Sequence, residues 1–230
     1  VRRVPVDQLP DAGSATALDG PTTHRLTHVL RLGVGARVVL FDGQGREVDA
    51  ELTGAPAGLR ATPVSAVRQA RPDHELHLLF GVPKGAALDN LLRMAVECGA
   101  THLHPLVTRR TVPKGDHPER WGRITAAASA QCGRADVPHL SPLRTLREAL
   151  DVLPPGLERW VGVPGAAPAS SPSGAGAFCV GPEGGLTADE LAALLDHGFQ
   201  PVGLGRWVLR VDTAVVVGLA RWSGVGRELA

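Results

Sequence analysis

Tyrosine is absent from this chain, and four phenylalanines and four tryptophans are the only large aromatics among its 230 residues. A surface that grips nucleic acid by stacking bases needs a supply of aromatic faces. Extensive stacking on aromatics is therefore not expected, and a nucleic-acid contact would work mainly through charge and shape. Cysteine is scarce as well. Cys98, Cys132 and Cys179 are odd in number, far apart and in no CxxC pair, which argues against a disulfide framework or structural zinc and suits a reducing compartment. No apolar run approaches the ~20 residues of a membrane span. The opening VRRVPVDQLP has no signal-peptide core, so a cytoplasmic protein with no membrane partner is expected. Neither GxGxxG nor GxxxxGK[ST] occurs, which removes the two common phosphate-cofactor loops. Among the nine histidines, His24 and His28 have i,i+4 spacing and His102 and His104 alternate as on a strand. Neither pair has an evident third ligand, so no metal is expected.

What is present is the composition of a globular protein: 43% hydrophobic and 20% charged residues, enough chain for one large domain or two small ones. Net charge is only +1, so a nucleic-acid site must be local. Two stretches lack any acid. One runs over 21–41 and holds Arg25, Arg31 and Arg37 beside His24 and His28. The other runs over 101–115 and holds Arg109, Arg110 and Lys114. Clustered cations without acids can neutralise phosphates; an ordinary solvated surface is the competing reading.

The first seventy residues read as short strands and one helix. ARVVLFDG (36–43) is a strand closing in an Asp-Gly turn. EVDAELTG (47–54) alternates, with Val48, Ala50 and Leu52 on one face. LRATPVSAV (59–67) is a strand that Pro63 demotes to an edge or bulge. THRLTHVLRL (23–32) has Leu26, Val29 and Leu30 at helical spacing and Gly33 as its stop. A small β-barrel carrying one helix fits. RQARPDHE (68–75) reads as a linker. Beyond it, strands at 77–82, 101–108, 159–163 and 177–181 alternate with helices at 88–99, 118–133, 189–198 and 213–222, the pattern of a parallel sheet covered by helices. PGAAPASSPSGAG (164–176) reads as a flexible surface loop.

The most informative stretch is VGPEGGLTADEL (180–191). Thr187 and Glu190 make a capping box for the helix that follows, but a capping box does not require GPEGG before it. Gly181, Gly184 and Gly185 permit close backbone approach, and the turn follows a parallel strand at the end where α/β sheets place ligands. Glu183 would repel phosphates, so the loop suits a neutral or cationic ligand such as an adenosine carrying a sulfonium. VGLGRWVLRVDTA (202–214) is a second strand, glycine turn and helix start.

The order and spacing of these loops resemble the RsmE family of the SPOUT superfamily, which methylates uracil-N3 in 16S ribosomal RNA with S-adenosylmethionine. The resemblance covers nearly the whole chain through HRLTHVLRLGVGARVVLFDG (24–43), AVECGATHLHPLVTRRTV (95–112), QCGRADVP (131–138), GPEGGLTADE (181–190) and LGRWVLRVDTA (204–214). Ala130, Trp207 and Asp212 depart from the family pattern. The resemblance implies a PUA-like RNA-binding β-barrel over 1–70. It also implies a SPOUT domain over 75–230, an α/β fold with a trefoil knot at its C-terminal end, and a homodimer with the site at its interface. S-adenosylmethionine would sit between Val180, Gly181, Pro182, Glu183, Gly184 and Gly185 on one side and Leu204, Gly205, Val208, Leu209 and Arg210 on another. Thr213 and Ala214 would lie beyond, with Gly162 as a third wall. Arg210 and Arg134 are candidates for stabilising the uracil anion; the competing reading for each is a structural salt bridge or a phosphate contact. Glu183 is a candidate base; the competing reading is that it faces the cofactor or holds the loop. Arg2, Arg3, Arg25, His28, Arg31, Arg109 and Arg110 are candidate contacts to 16S rRNA in the small ribosomal subunit. Two other functions compete: a non-catalytic RNA-binding module, which predicts decayed glycine loops, and a SPOUT enzyme acting on a different RNA.

Overall fold

The protein's computed structural model describes residues 2–54, 58–85, 87–111, 115, 117–170, 172 and 174–222. They group into two compact units: residues up to Arg71 with Ser129–Val137, and Pro72–Ala128 with the chain from Pro138 onward.

The first unit is a mixed sheet. It holds β1 (Arg2–Pro5), β2 (Thr16–Ala17), α1 (Gly20–His24), β3 (Arg37–Phe41), β4 (Arg46–Thr53), β5 (Arg60–Pro63) and β6 (Arg68–Gln69). The described pairings run as an open path β1-β3-β4-β5-β2, with β6 also on β4. β1 is parallel to β3 and the rest are antiparallel. Val48, Ala50 and Leu52 alternate into its core as their period requires. The β3–β4 turn is set by Asp42, whose carboxylate accepts from the Gln44 and Arg46 amides at 2.8 and 3.0 Å. Onto this turn folds the segment 129–137: Val137 N–H donates to Gly43 at 2.8 Å and Gly45 N–H to Ala135 at 3.0 Å.

Two local expectations change here. The helix over 23–32 instead starts at Gly20, capped by Asp19, and passes into a π-helical turn over Arg25–Val29. Leu30 N–H reaches back five residues to Arg25. The wider turn rotates the apolar positions, so Leu26 is buried while Val29 is 66% exposed. Arg68 and Gln69 are strand, not linker, because β4 still has an open edge to pair.

The second unit is a seven-stranded parallel sheet: β7 (Leu76–Gly81), β8 (His102–Val107), β9 (His139–Leu140), β10 (Arg144–Thr145), β11 (Glu158–Gly162), β12 (Gly176–Val180) and β13 (Gln200–Val202). The order is β10-β8-β7-β12-β11-β13, with β9 on β8. Central β7 is buried along its whole length, as a parallel strand covered on both faces must be. Leu78, Phe80, Trp160 and Phe178 face one core with α2 (Ala87–Glu97), α3 (Pro118–Cys132) and α6 (Val211–Leu219). Leu79, Val161 and Cys179 face the other with α4 (Leu146–Asp151) and α5 (Ala188–Asp196). Leu88, Leu91, Leu92 and Ala95 are buried on α2, as their spacing predicts, and Gly99 ends that segment at φ 92°. Burial holds the imidazoles of His77 and His104 on β7 and β8 well below the usual histidine range.

The loop at 164–176 is not loose where it is described. Gly203 N–H donates to Ala167 at 2.9 Å and the Arg221 guanidinium to Ala169 at 2.7 Å, and Pro172 is buried. Composition signals the lack of regular structure, not the lack of partners. No described helix is long and apolar enough to cross a membrane.

Candidate active site

Four strand ends meet on one side of the parallel sheet. After β12 comes the GPEGG turn, closed by Gly185 N–H to Pro182 at 2.7 Å, with Gly185 at φ 73° where a side chain would strain the backbone. Thr187 then caps α5, and its own amide donates to the Glu190 carboxylate at 2.8 Å, so both bonds of the capping box are present. After β13 comes 203–210, held to the loop after β11 by Gly203. A Cβ there would stand 2.0 Å from the Ala166 carbonyl oxygen, so only glycine fits. After β7, the Lys84 amide donates to the Glu183 carboxylate at 3.0 Å.

These loops enclose a cleft of about 860 Å³. Gly162, Val163 and Pro164 line one wall. Val180, Gly181, Pro182, Glu183, Gly185, Leu186 and Leu191 line the next. Leu204, Gly205, Trp207, Val208, Leu209 and Arg210 line the third, with Val211, Asp212 and Ala214 behind and Lys84 and Ala87 at the β7 side. The lining is mostly aliphatic or glycine, with two cations and two anions among it. Arg210 is 77% exposed along its side chain and its Nε sits 3.4 Å from Asp212 Oδ1. Asp212 is buried and accepts from the Thr213 amide at 2.9 Å, where a carboxylate complements the first turn of α6.

A family description, RNA methyltransferase domain, matches residues 70–223, and a second, RNA methyltransferase PUA domain, matches 18–58. Ribosomal RNA small subunit methyltransferase E of a Synechocystis strain is 32% identical over 86% of this chain and 69% of its own. The protein of that name from Mycobacterium bovis is 31% identical over 93% and 88%. This chain belongs to the RsmE family. The structure of the RsmE protein from Neisseria gonorrhoeae bound to S-adenosyl methionine superposes with a TM-score of 0.85 at 29% identity, covering 95% of each chain. The fold is accordingly the SPOUT α/β class, with a PUA-like first unit built on a mixed sheet.

Most residues singled out from the RsmE motifs are in the cleft wall, but Gly184 and Thr213 are not. Gly184 is exposed, its carbonyl turned outward to Arg110, and Thr213 faces outward from the first turn of α6. Lys84, Ala87, Val163, Pro164, Leu186 and Leu191 line the cleft without having been singled out. Leu186 and Leu191 lay inside the quoted GPEGG stretch, and the β7 loop carried no motif.

The basic candidates divide. Arg2, Arg25, His28, Arg31 and Arg109 are exposed, with His28 stacked on His24 at 4.5 Å. Arg3 is not available: its side chain is 13% exposed, paired with Glu47 and laid over the Phe41 ring. Arg110 donates Nη1 to the Gly184 carbonyl at 2.7 Å and points toward Leu186 O at 3.4 Å, so it clasps the GPEGG turn. Arg134 has the structural salt bridge: Nε lies 3.1 Å from Asp136 Oδ1, with both side chains largely buried. Lys114 lies outside the described residues.

Proposed function

We propose that this protein methylates N3 of a uridine in small-subunit ribosomal RNA, taking the methyl group from S-adenosylmethionine. The observation that carries the reading is the cleft at the strand ends, walled by the GPEGG turn and the 203–210 loop. Its volume falls within the ~300–1,000 Å³ of small-molecule sites. Val180, Leu186, Leu191 and Leu204 offer an apolar slot for a purine, and the glycine backbones offer it hydrogen-bonding edges. Lys84, Arg210, Glu183 and Asp212 balance one another in charge, which suits a zwitterion with a sulfonium better than a chain of phosphates. S-adenosylmethionine, when bound, supplies a methyl group made electrophilic by its sulfonium.

The chain's own task is to make uracil N3 a nucleophile. The imide proton must leave, and the resulting anion needs fixed positive charge beside it. Arg210 is the residue we assign to that role, because it lines the cleft and, among the described residues, its guanidinium is engaged only by the long 3.4 Å contact to Asp212. Arg134, already matched by Asp136, we assign to holding the 129–137 segment. The first unit, with Arg2, Arg25, His28 and Arg31, would hold RNA by its phosphates, which positions without reading sequence. Arg109 would serve likewise from the second unit. A homodimer in the cytoplasm completes the proposal. It is supported by Trp207 and Val208, 74% and 80% exposed at the cleft, where a second copy would cover them.

Arg210→Ala tests the assignment. Single-turnover methyl transfer should slow far more than S-adenosylmethionine affinity falls. Equal losses in both would make Arg210 a binding residue only.

A further inference from the structure

The N-terminal ends of β7, β8 and β9, opposite the cleft, carry a row of histidines. His77 pairs with His102 in register and His102 with His139. The His77 and His102 rings stack at 4.1 Å with 4° between their planes. Glu75, just before β7, brings its carboxylate to 3.5 Å from His77 Nε2. One donor atom from each of Glu75, His77 and His102 lies within 4.8 Å of the others.

The other ring nitrogens are already engaged. His77 Nδ1 is 3.0 Å from His104 Nε2, and His104 Nδ1 is 3.0 Å from Ser141 Oγ. His102 Nδ1 is 2.9 Å from the Thr101 hydroxyl. His77 and His102 thus keep Nε2 for a ligand while a partner on Nδ1 orients each ring, the arrangement that positions metal-binding histidines. His77 is buried and held, whereas the Glu75 side chain is 60% exposed, so an ion can enter from solvent on the Glu75 side. Ligands of a tetrahedral ion at ~2.0–2.3 Å lie about 3.3–3.8 Å apart, so binding requires the His102 ring to turn out of its parallel stack on His77 until the two Nε2 lone pairs converge, with Glu75 closing the third side.

We propose that Glu75, His77 and His102 form a binding site for one divalent transition-metal ion of the zinc type, separate from the cleft. Two imidazoles and a carboxylate suit zinc, cobalt or nickel rather than magnesium or calcium. Three protein ligands leave a position for water or for His139, whose ring centroid is 5.8 Å from that of His102. Joining β7, β8 and the chain before β7, the ion would brace the end of the sheet that the cleft does not use.

The test is titration of the metal-free full chain with zinc(II) against a chromogenic chelator, with cobalt(II) absorption as a second readout. One equivalent should bind, cobalt should give the intense visible bands of a low-coordinate site, and Glu75→Gln and His102→Ala should each weaken binding at least tenfold. His104→Gln, behind His77, should weaken it about tenfold or more. A His24→Ala/His28→Ala double variant should leave it unchanged. Zinc held ~100-fold above Kd should raise the melting temperature by about 5–10 °C. Absence of stoichiometric binding, or unchanged binding in Glu75→Gln and His102→Ala, would overturn the proposal. So would loss only in the His24/His28 variant.

Discussion

Replacing Arg110 with alanine should damage the cleft without touching it. Arg110 follows β8 in a turn closed by the Thr108 and Thr111 hydroxyls at 2.8 Å. Its guanidinium holds the Gly184 carbonyl, and the neighbouring Arg109 amide donates to Glu190 at 2.8 Å. The turn is thereby tied to the GPEGG loop at Gly184 and to the first turn of α5 at Glu190. A hydrogen bond from a charged donor is worth ~1.5–3 kcal/mol when sheltered. Arg110 is exposed, so about 1–2 kcal/mol is the appropriate range. If that energy holds the loop in its binding form, S-adenosylmethionine affinity falls roughly 5- to 30-fold. Calorimetric titration of the cofactor measures it directly. Arg110→Lys sharpens the test, since it keeps the charge but cannot reproduce the same guanidinium contacts; cofactor affinity should fall there too. The opposing account makes Arg110 a phosphate contact. It requires unchanged cofactor affinity in Arg110→Ala and a salt slope for RNA binding smaller by about one. That pair of results would refute the clasp.

Other substitutions probe the same frame. Gly203→Ala drives a methyl into the Ala166 carbonyl; overpacking of this kind costs ~1–3 kcal/mol, so the melting temperature should drop by about 2–12 °C and calorimetry should show weakened cofactor binding. Thr187→Ala removes the cap of α5, for a loss of ~1 kcal/mol and about 2–4 °C in thermal melts. Burial pushes the Cys179 thiol up to about 12, while Cys132 is exposed. Alkylation of the native protein near pH 8, read by peptide mass, should therefore label Cys132 and spare Cys179.

The sequence carried the parallel sheet well because its signals are local. β7 is one apolar run, α2 has a clean helical face with Gly99 behind it, and the Thr187–Glu190 box needs only four residues. The walls of the cleft were legible for the same reason, as two glycine loops each following a strand. What was not legible depends on partners distant in the chain. Nothing near Arg3 announces Glu47, and nothing near Arg110 announces Gly184. The 129–137 segment reads as a helix end, yet it folds onto the β3–β4 turn. The Glu75–His77–His102 cluster was not legible because Glu75 and His77 lie about 25 residues before His102, and only the β7–β8 register brings them together. The π-helical turn at Arg25–Val29 was missed because apolar spacing does not distinguish a wider turn from an α-helix.

The central claim is that this cleft supplies a methyl group to uracil N3. Its most direct test incubates the protein with methyl-labelled S-adenosylmethionine and unmodified small ribosomal subunits, then maps modified nucleosides by mass. Label on uracil N3 at a single site in the small-subunit RNA is the predicted result. Label on another atom or another RNA, or no transfer with the cofactor bound, would contradict it.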